Sequence, residues 1–157
     1  MIALIDYGIG NLRSVQKALE YVGAEARLTV DPAVMRAADK VVLPGVGAFG
    51  DGMKGLRARG LVDAVREIAA RGTPLLGICV GMQVLFDSSE EMGQHPGLGI
   101  LPGRVKRFAP EDTLATTDYG GAYPSVVGRG RVYGIQFHPE KSQSVGLLLL
   151  RNFVERG

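Results

Sequence analysis

Three short apolar runs, Ile2-Ala3-Leu4-Ile5, Val41-Val42-Leu43 and Leu75-Leu76-Gly77-Ile78, constrain the fold of this chain more than any other feature. Each is too short for a stable helix and none alternates with polar residues, so each reads as a strand buried on both faces. Such strands need helices on either side of their sheet. The stretches between them supply those helices. Leu12, Val15, Leu19 and Val22 fall on one side of a helix, with Arg13, Gln16, Lys17 and Glu20 on the other, and Gly23 ends the run. Ala26 to Val30 reads as a weaker strand. Asp31-Pro32 reads as an N-cap and first-turn proline opening a short helix to about Ala38. Leu61, Ala64, Val65, Ile68 and Ala69 mark a further core-facing helix closed by Gly72. Repeated β-α units predict an α/β fold of three layers, a central, mostly parallel sheet flanked by helices. The carboxyl ends of the Lys40–Leu43 and Leu75–Ile78 strands then share one edge.

The second half carries additional β structure. Val105 to Phe108, Leu114 to Thr117, Tyr123 to Val127 and Val132 to Phe137 read as strands, with glycine turns at Gly120-Gly121 and Gly128-Arg129-Gly130. Ser88-Ser89-Glu90-Glu91 and Gly93 to Gly103 read as turns. Ser142 is placed to cap a last helix through Val145, Leu148, Leu149, Asn152 and Phe153. The 157 residues predict a single domain, 1–157. No apolar run approaches the roughly 18 residues of a membrane span, and Met1 to Asp6 lacks the basic flank of a signal peptide, so no membrane association is expected. A net charge of +2 without a basic, aromatic-interleaved cluster predicts no nucleic-acid partner. One cysteine rules out an internal disulfide and is compatible with the cytoplasm. Gly8-Ile9-Gly10 lacks the third glycine of a dinucleotide fingerprint, which would fall at Arg13; no cofactor and no metal are expected.

The single cysteine closes the third apolar run in Gly77-Ile78-Cys79-Val80-Gly81. Flanking glycines at a strand-to-helix corner give a nucleophile elbow with sulfur in place of hydroxyl, and unpaired N–H groups of the following helix are expected to lower the thiol pKa. The same pattern also suits a small buried core cysteine. A thiol nucleophile needs a base and an orienting group. Of the two histidines, His95 lies in a turn-rich stretch beside Pro96 and reads as exposed surface, whereas His138 ends a strand in His138-Pro139-Glu140. With the backbone extended through Pro139, Glu140 projects to the same side as His138 and can hold its tautomer. The alternative is a strand-terminating turn with a solvated carboxylate. Oxyanion donors are available in the Val80 N–H and in Gly45-Val46-Gly47, part of a glycine-spaced loop from Pro44 to Gly52 that otherwise reads as a connector. Gln83 and Glu91 are candidates for binding a polar substrate bearing an ammonium and a carboxylate, or simply surface residues.

Asp6-Tyr7-Gly8-Ile9-Gly10-Asn11-Leu12, Pro44-Gly45-Val46-Gly47-Ala48-Phe49, Gly77-Ile78-Cys79-Val80-Gly81-Met82-Gln83 and Gly134-Ile135-Gln136-Phe137-His138-Pro139-Glu140-Lys141-Ser142 together resemble the class I (triad) glutamine amidotransferases, a flavodoxin-like fold. Within that class they are similar to the glutaminase subunits of imidazole glycerol phosphate synthase, of histidine biosynthesis. The resemblance implies Cys79 as nucleophile on L-glutamine, His138 as base and then acid, and Glu140 as orienter. It implies Val46 as a mobile oxyanion peptide beside Gly45 and Gly47, Val80 as second donor, and Gln83 and Glu91 as glutamine contacts. Asn11 and Lys141 would face a cyclase partner, a (βα)8 barrel, in a heterodimer that passes ammonia from one protein to the other. The class also contains the glutaminases of the vitamin B6 and anthranilate branches, from which the Pro44 to Phe49 loop differs, and a catalytically silent binding protein on the same fold is the non-enzyme alternative. The family carries a longer segment where Ala109-Pro110-Glu111-Asp112 here runs directly into Thr113-Leu114, so a segment is deleted or omitted near 112–113.

Overall fold

The computed structural model describes residues 1–106, 113–118 and 122–157. Its elements are β1 (Ile2–Ile5), α1 (Leu12–Tyr21), β2 (Ala26–Thr29), α2 (Pro32–Ala37), β3 (Lys40–Leu43), α3 (Phe49–Ala58), α4 (Val62–Ala70), β4 (Leu75–Ile78) and α5 (Val80–Gln83). They are followed by β5 (Phe86–Ser89), β6 (His95–Pro96), β7 (Leu101–Val105), β8 (Thr113–Asp118), β9 (Ala122–Arg129), β10 (Val132–Ile135), a 3-10 turn at Pro139–Lys141 and α6 (Gln143–Arg156). Seven strands form the main sheet in the order β2-β1-β3-β4-β10-β9-β8, and β6-β5-β7 form a small second sheet. β2, β1, β3, β4 and β10 run parallel, while β9 and β8 return antiparallel. The order 2-1-3-4 followed by a late strand is that of flavodoxin-like sheets, whose ligands bind at the carboxyl edge.

The apolar runs divide their side chains between two cores, as strand pleating requires. Ala3, Ile5, Val41, Leu43 and Leu75 pack on one face with Met35 of α2, Met53 and Leu56 of α3, and Val65 and Ile68 of α4. Ile2, Leu4, Val42, Leu76, Ile78 and Ile135 pack on the other with Val15 and Leu19 of α1 and Leu150 and Phe153 of α6. Each such fully buried Leu, Ile or Phe contributes about 1.5–3 kcal/mol relative to exposure. Asp31 caps α2, accepting from Ala33 N–H at 2.8 Å, beside the N-terminal Pro32.

Several expectations need correction. Phe49–Ala58 is a helix, where the glycines from Gly45 to Gly52 read as loop. Gly52 and Gly55 serve close packing, since a Cβ on Gly52 would come within 2.9 Å of Val80 Cγ1 and one on Gly55 would overlap Tyr7 O. Phe86–Ser89 is a strand of the small sheet instead of a turn, paired in parallel with β7. β7 starts at Leu101 and ends at Val105, so the remainder of the expected Val105 to Phe108 strand beyond residue 106 lies outside the described residues. The junction at 112 and the turn at Gly120-Gly121 lie there too. β10 stops at Ile135, and Ser142 sits at the α6 N-cap position without capping it; its hydroxyl donates instead to His138 O at 2.7 Å. Among the described residues no helix is long and apolar enough to cross a membrane.

Candidate active site

The site grows from the carboxyl ends of β1, β3, β4 and β10. β4 and β10 pair with Ile78 beside Ile135, and Cys79 N–H continues the ladder by donating to Ile135 O at 2.7 Å. At Cys79 the chain turns, with φ 55° and ψ −116°, a conformation that costs a non-glycine residue about 1–3 kcal/mol. The surroundings hold it there. A Cβ on Gly77 would stand 2.6 Å from Met82 Cα, and one on Gly81 would overlap Leu43 O, so only glycine lets the corner close against itself and against β3. The Met82 and Gln83 N–H groups both donate to Cys79 O, at 3.0 and 3.1 Å.

The thiol is half-buried, and its pKa is raised, against the expectation of a helix-lowered value. Desolvation pushes it up, and the Glu140 and Glu91 carboxylates add to the rise; the Val80 N–H and the Gln136 side chain pull in the opposite direction. Burial of the sulfur therefore outweighs the pull of the N–H group at the start of the four-residue α5.

His138 lies three residues beyond the strand partner of Ile78, with Glu140 next in line. Glu140 Oε1 is 3.0 Å from His138 Nδ1, and the Glu140 side chain is 1% exposed against 24% for His138. The geometry differs from the extended one expected: Pro139–Lys141 is a 3-10 turn, and it is this turn that folds Glu140 back onto the ring. Glu140 Oε2 is buried with no partner among the described residues, so the imidazole is the carboxylate's one polar contact there. With Nδ1 engaged, Nε2 is the ring nitrogen left to exchange a proton. The group on Cys79 Sγ is Gln136 Nε2, at 3.6 Å, and Gln136 Oε1 accepts from Gln83 Nε2 at 3.0 Å. Sequence reasoning misses Gln136, which reads only as a polar residue in a strand. The signal that finds it is the β4–β10 register, which sets it beside Cys79.

The glycine loop borders the elbow. Gly45 is buried, and a Cβ there would come within 2.6 Å of Gly81 N and 2.8 Å of the Tyr7 hydroxyl. Tyr7, fully buried, donates to Pro44 O immediately before the loop, and burial holds its phenol far above the ordinary range, with the nearby Cys79 contributing. Val46 and Gly47 are exposed and Gly47 has φ +92°. Glu91 is exposed on the far side of the loop, and its Oε2 accepts from Phe49 N–H at 2.9 Å, capping α3 in place of Ala48, whose methyl cannot. His95 is not free surface: its ring lies 6.4 Å from that of Phe49 and against Gly50. Asn11, at the start of α1, and Lys141, exposed in the 3-10 turn, lie on the same sheet edge, since α1 packs against that turn. A separate apolar cavity of about 240 Å³ lies between α6 and β4, β9 and β10 and shares no residue with this site.

Known proteins share both the sequence and the architecture. Residues 3–96 match the model of the glutamine amidotransferase class-I family. The chain belongs to the class-I glutamine amidotransferases. Within them it is 47% identical, over 195 aligned residues covering 97% of this chain and 92% of the relative, to imidazole glycerol phosphate synthase subunit HisH of Symbiobacterium thermophilum. It is 43% identical to the protein of the same name from Moorella thermoacetica, over 197 residues covering 98% and 94% of the two chains. Both alignments are longer than the 157 residues of this amidotransferase, so these relatives carry residues that it lacks. In architecture it resembles a crystal structure titled glutamine amidotransferase, with a TM-score of 0.72 and 21% identity over 97% of this chain and all of that one.

Proposed function

We propose that this amidotransferase is the glutaminase subunit of an imidazole glycerol phosphate synthase, working in the cytoplasm in histidine biosynthesis. It hydrolyses L-glutamine to glutamate and ammonia through Cys79, His138 and Glu140. His138 Nε2 takes the thiol proton as Sγ attacks the side-chain amide carbon. This offsets a thiol that burial would otherwise keep protonated at neutral pH. The tetrahedral oxyanion is held by the Val80 N–H and by the Val46 peptide of the Gly45-Val46-Gly47 loop. His138 returns the proton to the departing nitrogen, ammonia leaves, and a thioester remains on Cys79. His138 then deprotonates a water that attacks the thioester; glutamate departs and the thiol reforms. Glu140 holds the imidazole in the tautomer with Nε2 free. Glu91 and Gln83 contact the ammonium and carboxylate of glutamine. Ammonia passes to a cyclase partner, a (βα)8 barrel, across the sheet edge that carries Asn11 and Lys141, in a heterodimer.

The observation that supports this reading most is the pairing of β4 with β10, which sets a strained, glycine-flanked Cys79 on the strand next to the one that leads into the His138–Glu140 pair. The 41–47% identity to HisH proteins supports the synthase assignment. The test is a split of two activities in the reconstituted complex. Cys79→Ser should abolish glutamine-dependent synthesis and leave ammonia-dependent synthesis by the partner intact. Loss of both would make the cysteine structural.

A further inference from the structure

The contact on Cys79 Sγ comes from a residue outside the triad. Gln136 is held from both sides: its backbone N–H donates to Ser125 O at 2.9 Å on the β9 side, while Ile135 before it accepts from Cys79 N–H on the β4 side. Its side chain lies beside the sulfur, with Nε2 at 3.6 Å. In the structure Gln83 Nε2 donates to Gln136 Oε1 at 3.0 Å, which leaves the Gln136 amide N–H bonds facing Sγ. We infer that Gln136 is a catalytic residue that donates to the Cys79 thiolate and that Gln83 is its positioning residue, the two forming a relay from α5 to the nucleophile.

The relay has a task because the other charges around the thiol oppose its ionisation. Desolvation of the half-buried sulfur is the largest of these effects, and the Glu140 and Glu91 carboxylates add to it. Gln136 is the side chain whose hydrogen bond favours the anion, with the Val80 backbone N–H beside it. The catalytic role of Gln136 rests on the glutaminase reading, whereas its donor geometry at Sγ stands without it.

Iodoacetamide labelling of the full chain separates the two. The reagent needs no glutamine site, and Cys79 is the only cysteine, so intact mass reads its thiolate directly. Gln136→Leu should move the pH midpoint of labelling upward by roughly 0.5–1 unit, slowing labelling near neutrality about three- to tenfold. The isosteric Gln136→Glu, which keeps the side-chain volume, should move it further, because a carboxylate replaces the donor. Gln83→Leu should give a smaller shift in the same direction, by freeing the Gln136 amide to rotate. An unaltered profile in both Gln136 variants overturns the inference. A Gln83→Leu variant with an unaltered profile and only a raised KM for glutamine overturns the relay. If the profiles shift as stated but the unaltered chain with its partner yields no glutamate from glutamine, the glutaminase reading fails and the relay stands.

Discussion

The elbow at Cys79 and the loop at Pro44–Ala48 lie against each other at the same edge of the same sheet, and they are built in opposite ways. The elbow is locked: Gly77 and Gly81 leave no room for a methyl group, the Cys79 carbonyl is bonded twice, and the strained φ is imposed by its neighbours. Among the described residues, hydrogen bonds hold the loop at its ends, by Tyr7 on Pro44 O and by Glu91 on Phe49 N–H, and its middle, Val46-Gly47, is exposed with open space around Gly47. The proposed nucleophile is thus preset, and the less constrained part of the site is the proposed oxyanion donor. In the proposed synthase subunit that division would let the Val46 peptide rearrange without disturbing the sulfur.

Substituting glycines tests the contrast most severely. Gly81→Ala forces a Cβ into Leu43 O and should destabilise the fold by about 3 kcal/mol, lowering Tm by roughly 6–12 °C in a thermal melt. Gly47→Ala meets no atom and carries only the strain of its positive φ, about 1 kcal/mol, so comparable losses at the two positions would break the comparison. Between these lies Tyr7→Phe. It leaves the buried Pro44 carbonyl unpaired at a cost of about 1–3 kcal/mol, and hydrogen exchange of the Val46 and Gly47 amides should accelerate while that of the elbow does not. Glu91→Gln keeps an oxygen for Phe49 N–H but removes the negative charge at the α3 terminus. It should cost about 0.3–1 kcal/mol by denaturant unfolding, an effect that shrinks with added salt.

The smallest effect is one of pH. The Cys79 thiol is harder to ionise in the fold than in the open chain, so the unfolded state loses its proton first. Stability should therefore decline as pH rises above the open-chain thiol value of about 8.5. In Cys79→Ala that early part of the decline should be absent, leaving the part due to Tyr7 above about pH 10. Identical alkaline stability curves for the two proteins would mean that burial does not act on the thiol.

The same contrast marks what can be read from the residues. β1 to β4 are legible because strands buried on both faces need unbroken apolar runs, and the motif glycines at 77 and 81 carry their packing reason within a few residues. α3 is hidden because Gly50, Gly52 and Gly55 look like loop residues; their smallness answers to His95, Val80 and Tyr7, none of them local. β5 is hidden by Ser88-Ser89, polar residues in a strand of a small peripheral sheet. The His138–Glu140 contact can be anticipated as a pair, but the turn that makes it is set by Pro139 and by the Ser142 hydroxyl on His138 O. Gln136 requires the register between strands whose paired residues lie 57 positions apart in sequence.

Whether Cys79 on its preset elbow attacks glutamine is read by incubating the chain with the glutamine analogue 6-diazo-5-oxo-L-norleucine and measuring intact mass. A single adduct on Cys79 is expected, forming faster with the cyclase partner present, prevented by excess glutamine and absent in Cys79→Ser. No adduct under any of these conditions, or an adduct that persists in Cys79→Ser, would contradict attack by Cys79.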